Sequence, residues 1–296
     1  MPIIQNDVGL DLEKIVVATD FTPESEKALV YARNLARHFA SKLIVTHVVD
    51  LSIATPSELA LVGFSLDSMR HDSNENMENI LSDLEIEGIS AEGKTIEAHR
   101  PAAAIINLSQ EIDADLVLVG THHRKGLSKL ILGSCSESII HSANCPVLTI
   151  GPNVKLNPEG VDFRTIVFAT DLHHNAASNA AVALAFAKES VANIYMCRII
   201  ETAESNLANC FQQQTHAESV ISKLIPDASY TWCTPLPTAE FGNVEDEILR
   251  IAKETNADLI VLGVHRSIRW FSRLWDGIVE RIIGQAACPV MTIASN

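Results

Sequence analysis

The segment of this chain best suited to bind an anion runs from Gly120 to Ser134. Gly120 is followed by His123, and nine residues then separate His123 from the pair Gly133-Ser134. A glycine that ends a strand and a Gly-Ser pair that opens a helix leave backbone N–H groups unshielded, and the helix dipole favours negative charge there. Phosphate is the natural ligand for such a site. The same residues also occur as ordinary turn and cap residues.

The loop inside this segment is locally cationic. His122, His123, Arg124 and Lys125 follow one another in a chain whose formal net charge is −15. The imidazole of His123 can donate a hydrogen bond to a phosphate oxygen. A solvated loop of polar residues without a ligand is the alternative. A metal site built on the two histidines lacks further ligands nearby, so we predict no metal site.

The sequence contains none of the common catalytic motifs. G-x-S-x-G, the Walker lysine motif, H-E-x-x-H and C-x-x-C are all missing, so we predict no catalytic residue. The cysteines are neither paired in sequence nor close to histidines at metal-ligand spacing. We expect them to be reduced and structural; they are Cys135, Cys145, Cys197, Cys210, Cys233 and Cys288.

Composition excludes several classes of function. The chain has 296 residues, of which 47% are hydrophobic and 20% charged, as expected for a soluble globular protein with two cores. No apolar run approaches the roughly 20 residues of a spanning helix, and the N-terminus lacks the features of a signal peptide. We therefore expect a cytoplasmic protein that binds no membrane. Because 22 basic residues face 37 acidic ones, we also expect no nucleic-acid partner.

The elements that must position the anion site occur twice. Asp115-Leu-Val-Leu-Val-Gly120 returns as Asp258-Leu-Ile-Val-Leu-Gly263, and Cys145-Pro-Val returns as Cys288-Pro-Val, both 143 residues later. Upstream, Lys14-Ile-Val-Val-Ala-Thr-Asp20 returns as Thr165-Ile-Val-Phe-Ala-Thr-Asp171. The chain is therefore predicted to contain a duplicated domain.

Each half alternates short β-branched runs with longer amphipathic segments, which is typical of a parallel sheet with crossover helices. We predict two doubly wound α/β domains, Rossmann-like, each with a five-stranded parallel sheet. Domain 1 spans 1–152, a linker rich in Pro, Gly and Asn spans 153–162, and domain 2 spans 163–296. The strands predicted in half one are 15–19, 43–48, 91–97, 116–120 and 146–150, with helices at 23–40, 56–87, 101–112 and from 133. The strands predicted in half two lie near Thr165, Ile194, Ser229, Leu259 and Pro289.

The chain resembles the universal stress protein family over essentially its whole length, as a tandem pair of such domains. The resemblance rests on Val17-Ala-Thr-Asp20-Phe-Thr, Asp113-Ala-Asp-Leu-Val-Leu-Val-Gly120, Leu132-Gly-Ser-Cys-Ser-Glu-Ser138 and Cys145-Pro-Val. In nucleotide-binding members the motif is G-x2-G-x9-G-[ST], and the adenine of ATP lies near the Asp that ends strand one. Asp20, Gly120, Gly133 and Ser134 match this pattern.

The resemblance implies a site for ATP, with Mg²⁺ as a possible companion, in half one. Val48 stands where the family has a hydrophobic wall for adenine, and His123 replaces the second glycine of the motif. If that position requires a positive φ, a side chain there costs about 1 to 2 kcal/mol. The predicted nucleotide contacts are Ala18, Thr19, Asp20, Val48, Gly120, His123, Gly133, Ser134, Cys135 and Ser136.

The resemblance also implies a stress-responsive regulator rather than a fast enzyme. An interaction scaffold that binds no nucleotide and a slow ATPase stay open as alternatives. Family members commonly pair through their last strands. We therefore expect either an intrachain pseudo-dimer, formed by 146–150 and 289–293, or a homodimer.

The second half departs from the first at the predicted phosphate site. Asp276 and Gly277 stand where half one has Gly133 and Ser134, and a carboxylate at a helix start would repel phosphate. We predict that domain 2 has lost triphosphate binding and that its ligand is unknown. Its loop combines Trp270, Phe271 and Trp275 with arginines; these residues pack between the halves or subunits, or stack a base or partner.

Overall fold

The computed structural model describes residues 4–5, 9–52, 66–121, 132–156, 160, 162–173, 175–201, 207–265 and 272–295. An N-terminal arm forms a two-stranded sheet, β1 (Ile4–Gln5) with β2 (Gly9–Leu10), which the sequence did not predict. The first half then alternates strands and helices: β3 (Lys14–Thr19), α1 (Pro23–Phe39), β4 (Lys42–Asp50), α2 (Leu66–Ile86), β5 (Ala91–Ala98), α3 (Pro101–Glu111), β6 (Leu116–Gly120), α4 (Ser134–Ser142) and β7 (Val147–Ile150).

The second half repeats this order. It contains β8 (Thr165–Ala169), α5 (Ala176–Glu189), β9 (Asn193–Ile200), α6 (Leu207–Ser222), a 3₁₀ helix (Asp227–Thr231), β10 (Thr234–Phe241), α7 (Val244–Glu254), β11 (Leu259–His265), α8 (Ser272–Gln285) and β12 (Val290–Ser295). The predicted fold class is confirmed: five strands of each half are joined in parallel by crossover helices.

The strands of both halves form one continuous sheet. Its order is β10-β9-β8-β11-β12-β7-β6-β3-β4-β5. Within each half the paired strands are parallel, and the two halves meet where β12 lies antiparallel to β7, with Met291 opposite Leu148. The last strands of the two halves are thus hydrogen-bonded neighbours within the chain.

The hydrophobic core also runs across the junction on both faces of the sheet. On one face Phe186 of α5 meets Phe39 of α1 at a ring-centroid distance of 6.4 Å, and Phe163 at 6.3 Å. On the other face Ile140 of α4 and Ile283 of α8 are both buried in the same cluster. Burial of this apolar surface favours a fixed arrangement of the two halves.

Local sequence signals determine where α1 begins. The hydroxyl of Thr22 accepts a hydrogen bond from the N–H of Ser25 (3.4 Å), and Pro23 occupies the first turn. Both are favourable at a helix N-terminus, because the cap satisfies a free donor and proline has no N–H to satisfy. Only three residues therefore separate the end of β3 from the start of the helix, and the helix start fixes the turn that carries Asp20.

Two elements of the second half differ from the predictions. The strand predicted near Ser229 is wrong: Ser229 lies in the 3₁₀ helix, and β10 starts at Thr234. The β-favouring run Tyr-Thr-Trp suggested a strand there, whereas Pro235 and Pro237 argued against the true one. The helix predicted to open at Asp276-Gly277 instead begins at Ser272, so Asp276 is its fifth residue.

The long helix of the first half agrees with its prediction at its C-terminal end. It was predicted over 56–87, and α2 ends at Ile86, but residues 53–65 lie outside the described residues. In the part of the chain that the structure describes, no helix is both long and apolar enough to cross a lipid bilayer.

Candidate functional site

A cavity of about 380 Å³ opens at the carboxyl ends of β3, β4 and β6. Ligands of doubly wound sheets bind at this edge. Eight of the ten predicted nucleotide contacts line it: Ala18, Thr19, Asp20, Val48, Gly120, Gly133, Cys135 and Ser136. Ser134 starts α4 next to them but is not part of the lining, and His123 lies outside the described residues.

The turn after β3 holds Asp20 at the mouth of the cavity. The N–H and hydroxyl of Thr22 both donate to Asp20 Oδ1, at 3.2 and 2.6 Å. Between them Phe21 adopts a positive φ of 60°, and its N–H donates to the hydroxyl of Thr19 (3.0 Å). A non-glycine residue with positive φ is uncommon, so this network of hydrogen bonds stabilises a tight turn.

His47 connects the end of β3 to the neighbouring strand. Its Nδ1 lies 2.8 Å from the carbonyl oxygen of Thr19, and its ring lies 4.4 Å from that of Phe21. Burial lowers the pKa of His47, against smaller opposing effects of that hydrogen bond and of Asp20. The neutral imidazole at pH 7 therefore donates from Nδ1 to the carbonyl of Thr19, which leaves Nε2 as an acceptor.

Gly120 is required by the close packing of α1. A Cβ at this position would lie 2.4 Å from the carbonyl oxygen of Glu24, in the first turn of that helix. The carbonyl of Gly120 also accepts a hydrogen bond from the hydroxyl of Ser136 (3.1 Å). This bond ties the start of α4 to the end of β6.

The N-terminus of α4 faces the cavity with an open glycine. Gly133 has extended backbone angles (φ −61°, ψ 138°), and a Cβ added there would meet no atom within 4 Å. The first N–H groups of an α-helix have no acceptor within the helix, and the helix dipole adds positive potential. This end of the cavity can therefore hold an anion.

The opposite end of the cavity offers hydrogen-bond acceptors beside an apolar wall. Along β4, the backbone groups of successive residues point alternately to the two neighbouring strands: the N–H of Lys42 donates on the β3 side and the N–H of Leu43 on the β5 side. Val48, an even-numbered residue like Lys42, therefore directs its backbone groups to the β3 side. The last β3 partner in the register is Thr19, opposite His47. The carbonyl of Val48 therefore points into the space beyond β3, and Ile105 and Ile139 line the same cavity.

Cys135 shares this cavity as a protonated thiol. Burial raises its pKa to about 11, with further contributions from the negative charges of Asp20 and Asp50. Since the thiolate is the reactive form of cysteine, this side chain is a poor nucleophile at neutral pH. In the described part of the chain no three His, Cys, Asp or Glu residues lie close enough together to hold a metal ion.

Sequence reasoning missed several residues of the lining. These are Ser25, His47, Val49, Asp50, Met69, Ser73, Pro101, Ile105, Val119 and Ile139. Asp50 could have been found from its position at the carboxyl end of a predicted strand, where polar ligands collect. His47, Val49 and Val119 contribute from β4 and β6, and the other six contribute from helices that the sequence does not align with the cavity.

The equivalent edge of the second half carries different side chains. Arg198 stands 151 residues after His47, and its guanidinium donates to the backbone carbonyl of Asp171. A Cβ on Gly263 would lie 2.5 Å from the side-chain nitrogen of Asn179, so the glycine packs against a side chain rather than helix backbone. A larger, permanently charged group thus replaces the imidazole of half one.

An ion pair joins two helices of the second half. Glu245, only 4% exposed, pairs with Arg281 and so links α7 to α8. Half one has Ala102 and Ser138 at these positions. The side chain of Asp276 and the residues Trp270 and Phe271 lie outside the described part of the structure, so the predictions made for them stay predictions.

Comparisons with a family model and with individual proteins all match this chain to one family. A family model described as "Universal stress protein family" matches residues 12–151 and again 162–294. Universal stress protein MJ0531 of Methanocaldococcus jannaschii is 31% identical over 150 residues, which cover 50% of this chain and 86% of that protein. Universal stress protein Sll1388 of Synechocystis is 31% identical over 150 residues, which cover 46% and 96%.

Solved structures match the chain over both halves, and one of them serves as an example. It is a universal stress protein from Archaeoglobus fulgidus, with a TM-score of 0.72 and 19% identity, covering 98% of this chain and 99% of that one. At this identity the likeness concerns the fold alone.

Proposed function

The chain belongs to the universal stress protein family, and from this premise we propose that its first half binds ATP or a related adenine nucleotide in the cavity between β3, β4 and α4. The observation that carries the proposal is the pairing of an open helix N-terminus at Gly133 with an apolar, acceptor-lined wall at Val48 in one cavity. A volume of about 380 Å³ lies within the range of small-molecule sites.

The cavity suits the parts of a nucleotide in a definite order. The apolar wall formed by Val48 and Ile105 fits the flat face of adenine, and the Val48 carbonyl can accept a hydrogen bond from its exocyclic amino group. Phosphate groups would lie at the N-terminus of α4, beside the N–H groups that follow Gly133. Mg²⁺ would accompany the phosphates rather than sit in a dedicated protein cage.

The expected biological role is regulatory, in a stress response. The thiol of Cys135 is held protonated, and the sequence carries no catalytic motif. Occupancy of the cavity would stabilise the turn at Asp20 and the start of α4, which lie on either side of the ligand. A ligand that binds the native state alone stabilises it by an amount that grows with the logarithm of the ligand concentration once this exceeds Kd.

The second half would serve as a structural partner. Arg198 replaces the imidazole of His47 at the equivalent edge, and the Glu245–Arg281 pair replaces two smaller side chains on the neighbouring helices. We regard 1–152 and 163–296 as the two domains, joined by 153–162. Their antiparallel β7–β12 contact would make the chain an intrachain pseudo-dimer in the cytoplasm.

Calorimetric titration with ATP, with and without Mg²⁺, tests the nucleotide site. Gly133→Asp adds a carboxylate at the anion end and is expected to weaken ATP binding at least tenfold, or by about 1.4 kcal/mol. Gly133→Ala is the matched control, because its Cβ enters open space and adds no charge.

Three results would contradict the proposal. They are no heat of binding with the unaltered protein, equal ATP affinity in Gly133→Asp and the unaltered protein, and equal loss in both glycine variants. Thermal unfolding in the absence of ATP checks that each variant folds. Under the scaffold alternative, ATP would leave the melting temperature of all three proteins unchanged.

A further inference from the structure

Strand β4 extends beyond its neighbour at the edge that carries the cavity. The last residue of β3 in the register is Thr19, opposite His47, whereas β4 continues to Asp50, which pairs on its other side with Ala98 of β5. The residues after His47 therefore have no β3 partner in the register. Asp50 ends this overhang and lines the cavity.

The carboxylate of Asp50 is held in a fixed orientation. The backbone N–H and the hydroxyl of Ser52 both donate to Asp50 Oδ1, at 2.8 and 2.6 Å. The N–H of Leu51 donates to the carbonyl of Ala98 (3.0 Å), which fixes the backbone of the same turn. Neither bond from Ser52 involves Oδ2, and the side chain as a whole is half-buried.

A second carboxylate faces the same space. Asp20 ends β3, and its Oδ1 is likewise engaged by the N–H and hydroxyl of a residue two positions on, Thr22. Both negative charges contribute to the raised pKa of the Cys135 thiol, after the larger effect of burial. The two carboxylates therefore line one cavity and act on the same thiol.

This arrangement selects for a ligand with several hydrogen-bond donors. An ionised carboxylate accepts hydrogen bonds but cannot donate them, and it repels phosphate. Adenine offers one exocyclic amino group, for which the Val48 carbonyl is already an acceptor. Apart from the second N–H of that amino group, the remaining donors of an adenine nucleotide are the adjacent 2′ and 3′ hydroxyls of the ribose.

Resting on the nucleotide site proposed above, we infer that Asp50 accepts a hydrogen bond from a ribose hydroxyl and makes the site select ribonucleotides over deoxyribonucleotides. The Ser52 turn orients the acceptor before the ligand arrives. A hydrogen bond between a hydroxyl and a charged acceptor is stronger than a neutral one. Its loss also leaves a desolvated carboxylate without that donor.

Calorimetry with ATP, 2′-deoxy-ATP and 3′-deoxy-ATP tests the inference. The unaltered protein is expected to bind at least one deoxy nucleotide on the order of 10- to 100-fold more weakly than ATP. Asp50→Asn keeps an oxygen that accepts from Ser52 but loses the carboxylate. It should bind ATP as weakly as that deoxy nucleotide and no longer discriminate between them.

The sign of the Asp50→Asn effect separates recognition from simple proximity. If Asp50 only lay near the ligand, removal of its negative charge would leave the affinity for an anionic nucleotide unchanged or increase it. Glu201→Gln, the same charge change at the equivalent position 151 residues later, is the matched control and should leave all three affinities unchanged. Circular dichroism checks the fold of both variants.

The outcomes distinguish this inference from the proposed function. Binding of all three nucleotides within twofold of one another by the unaltered protein would overturn the role of Asp50 alone. So would tighter ATP binding by Asp50→Asn, or a loss that appears only with Mg²⁺ and equally for all three nucleotides, which would indicate metal coordination. No ATP binding by the unaltered protein would overturn both proposals.

Discussion

At the scale of single residues, His47 connects the backbone of β3 to the proposed ligand. It donates to the carbonyl of Thr19 and packs on Phe21, the residue with positive φ that follows Asp20. Because burial lowers its pKa, the protonated imidazole is less favourable in the folded protein than in the unfolded chain. Protonation of His47 must therefore weaken this part of the fold.

The consequence is a pH dependence of stability with a definite sign. The neutral form is favoured in the folded state, so the contribution of His47 is retained above the unfolded pKa of about 6.5 and lost as the pH falls below it. We expect the free energy of unfolding to decline from roughly pH 7.5 to roughly pH 5.5 with a slope of at most about 1.4 kcal/mol per pH unit from this group.

Asn is the matched substitution for His47, because its amide can donate at the position of Nδ1 but does not titrate. Urea unfolding of the unaltered protein and of His47→Asn across this pH range measures the difference between them. That difference should change with pH below about 6.5 and be constant above. Parallel curves for the two proteins would show that His47 does not titrate differently on unfolding.

The sequence identified some residues of the site and missed others for a physical reason. Gly120, Gly133 and Asp20 were found because glycines at strand and helix ends and an acidic strand end have local signatures. Val48 was singled out, but His47 and Asp50 on the same strand were not. The position of Asp50 just after a predicted strand was a usable local signal. The role of His47 and the reach of Asp50 into the cavity depend on how far β4 extends beyond β3, which is a register between two strands rather than a property of either segment.

At the scale of elements, the outermost strand β10 shows how an edge is protected. Gly242 N–H donates to Ile200 of β9, so even-numbered residues of β10 face β9 and odd-numbered ones face outwards. Pro235 and Pro237 therefore stand at outward positions, where a missing N–H costs nothing. At the next outward position the side chain of Gln214 donates to the carbonyl of Ala239 (2.8 Å).

The edge position of β10 explains why the sequence placed this strand wrongly, near Ser229. Two prolines within four residues argue against a central strand, and a single sequence does not reveal which strand becomes an edge. The alternation of elements was predictable from hydrophobic periodicity, and nine of the ten strands lie where it indicated. The start of α8 was predicted wrongly, because Asp276 was placed at a helix start only on the ground that it lies 143 residues after Gly133.

We expect that replacing both prolines by threonine makes this edge strand prone to pair with other molecules. Pro235→Thr with Pro237→Thr restores two outward N–H donors on an extended strand, which can then pair with another chain. We expect a concentration-dependent increase in apparent mass and earlier light scattering on heating. Pro226→Thr, the same change before the 3₁₀ helix, is the control. Identical scattering of the double variant and the control would show that the prolines do not protect this edge.

At the scale of the whole molecule, the two halves share one sheet and both core layers. The contact between β7 and β12 is antiparallel, and Leu148 and Met291 on these strands are fully buried. The segment that follows β7 is fixed to both halves: Lys27 of α1 donates to the carbonyl of Pro152 (3.2 Å), and Asn153 donates to that of Gly284 in α8 (2.9 Å). Separation of the halves must expose a strand edge and apolar surface on each.

Expression of 1–152 and 163–296 as separate fragments tests this dependence. An antiparallel pair of identical strands can be formed by two copies, so we expect the first fragment to self-associate through β7 and the mixture to form a one-to-one complex. Size exclusion with light scattering measures the masses.

Leu148→Asp should abolish both associations, because it buries an unpaired charge at the contact. Ile86→Asp, on an 82% exposed residue of the first fragment away from the contact, should abolish neither. If both fragments stay monomeric and do not bind each other, each half folds without the other. The β7–β12 pairing would then be a weak contact rather than part of a shared core.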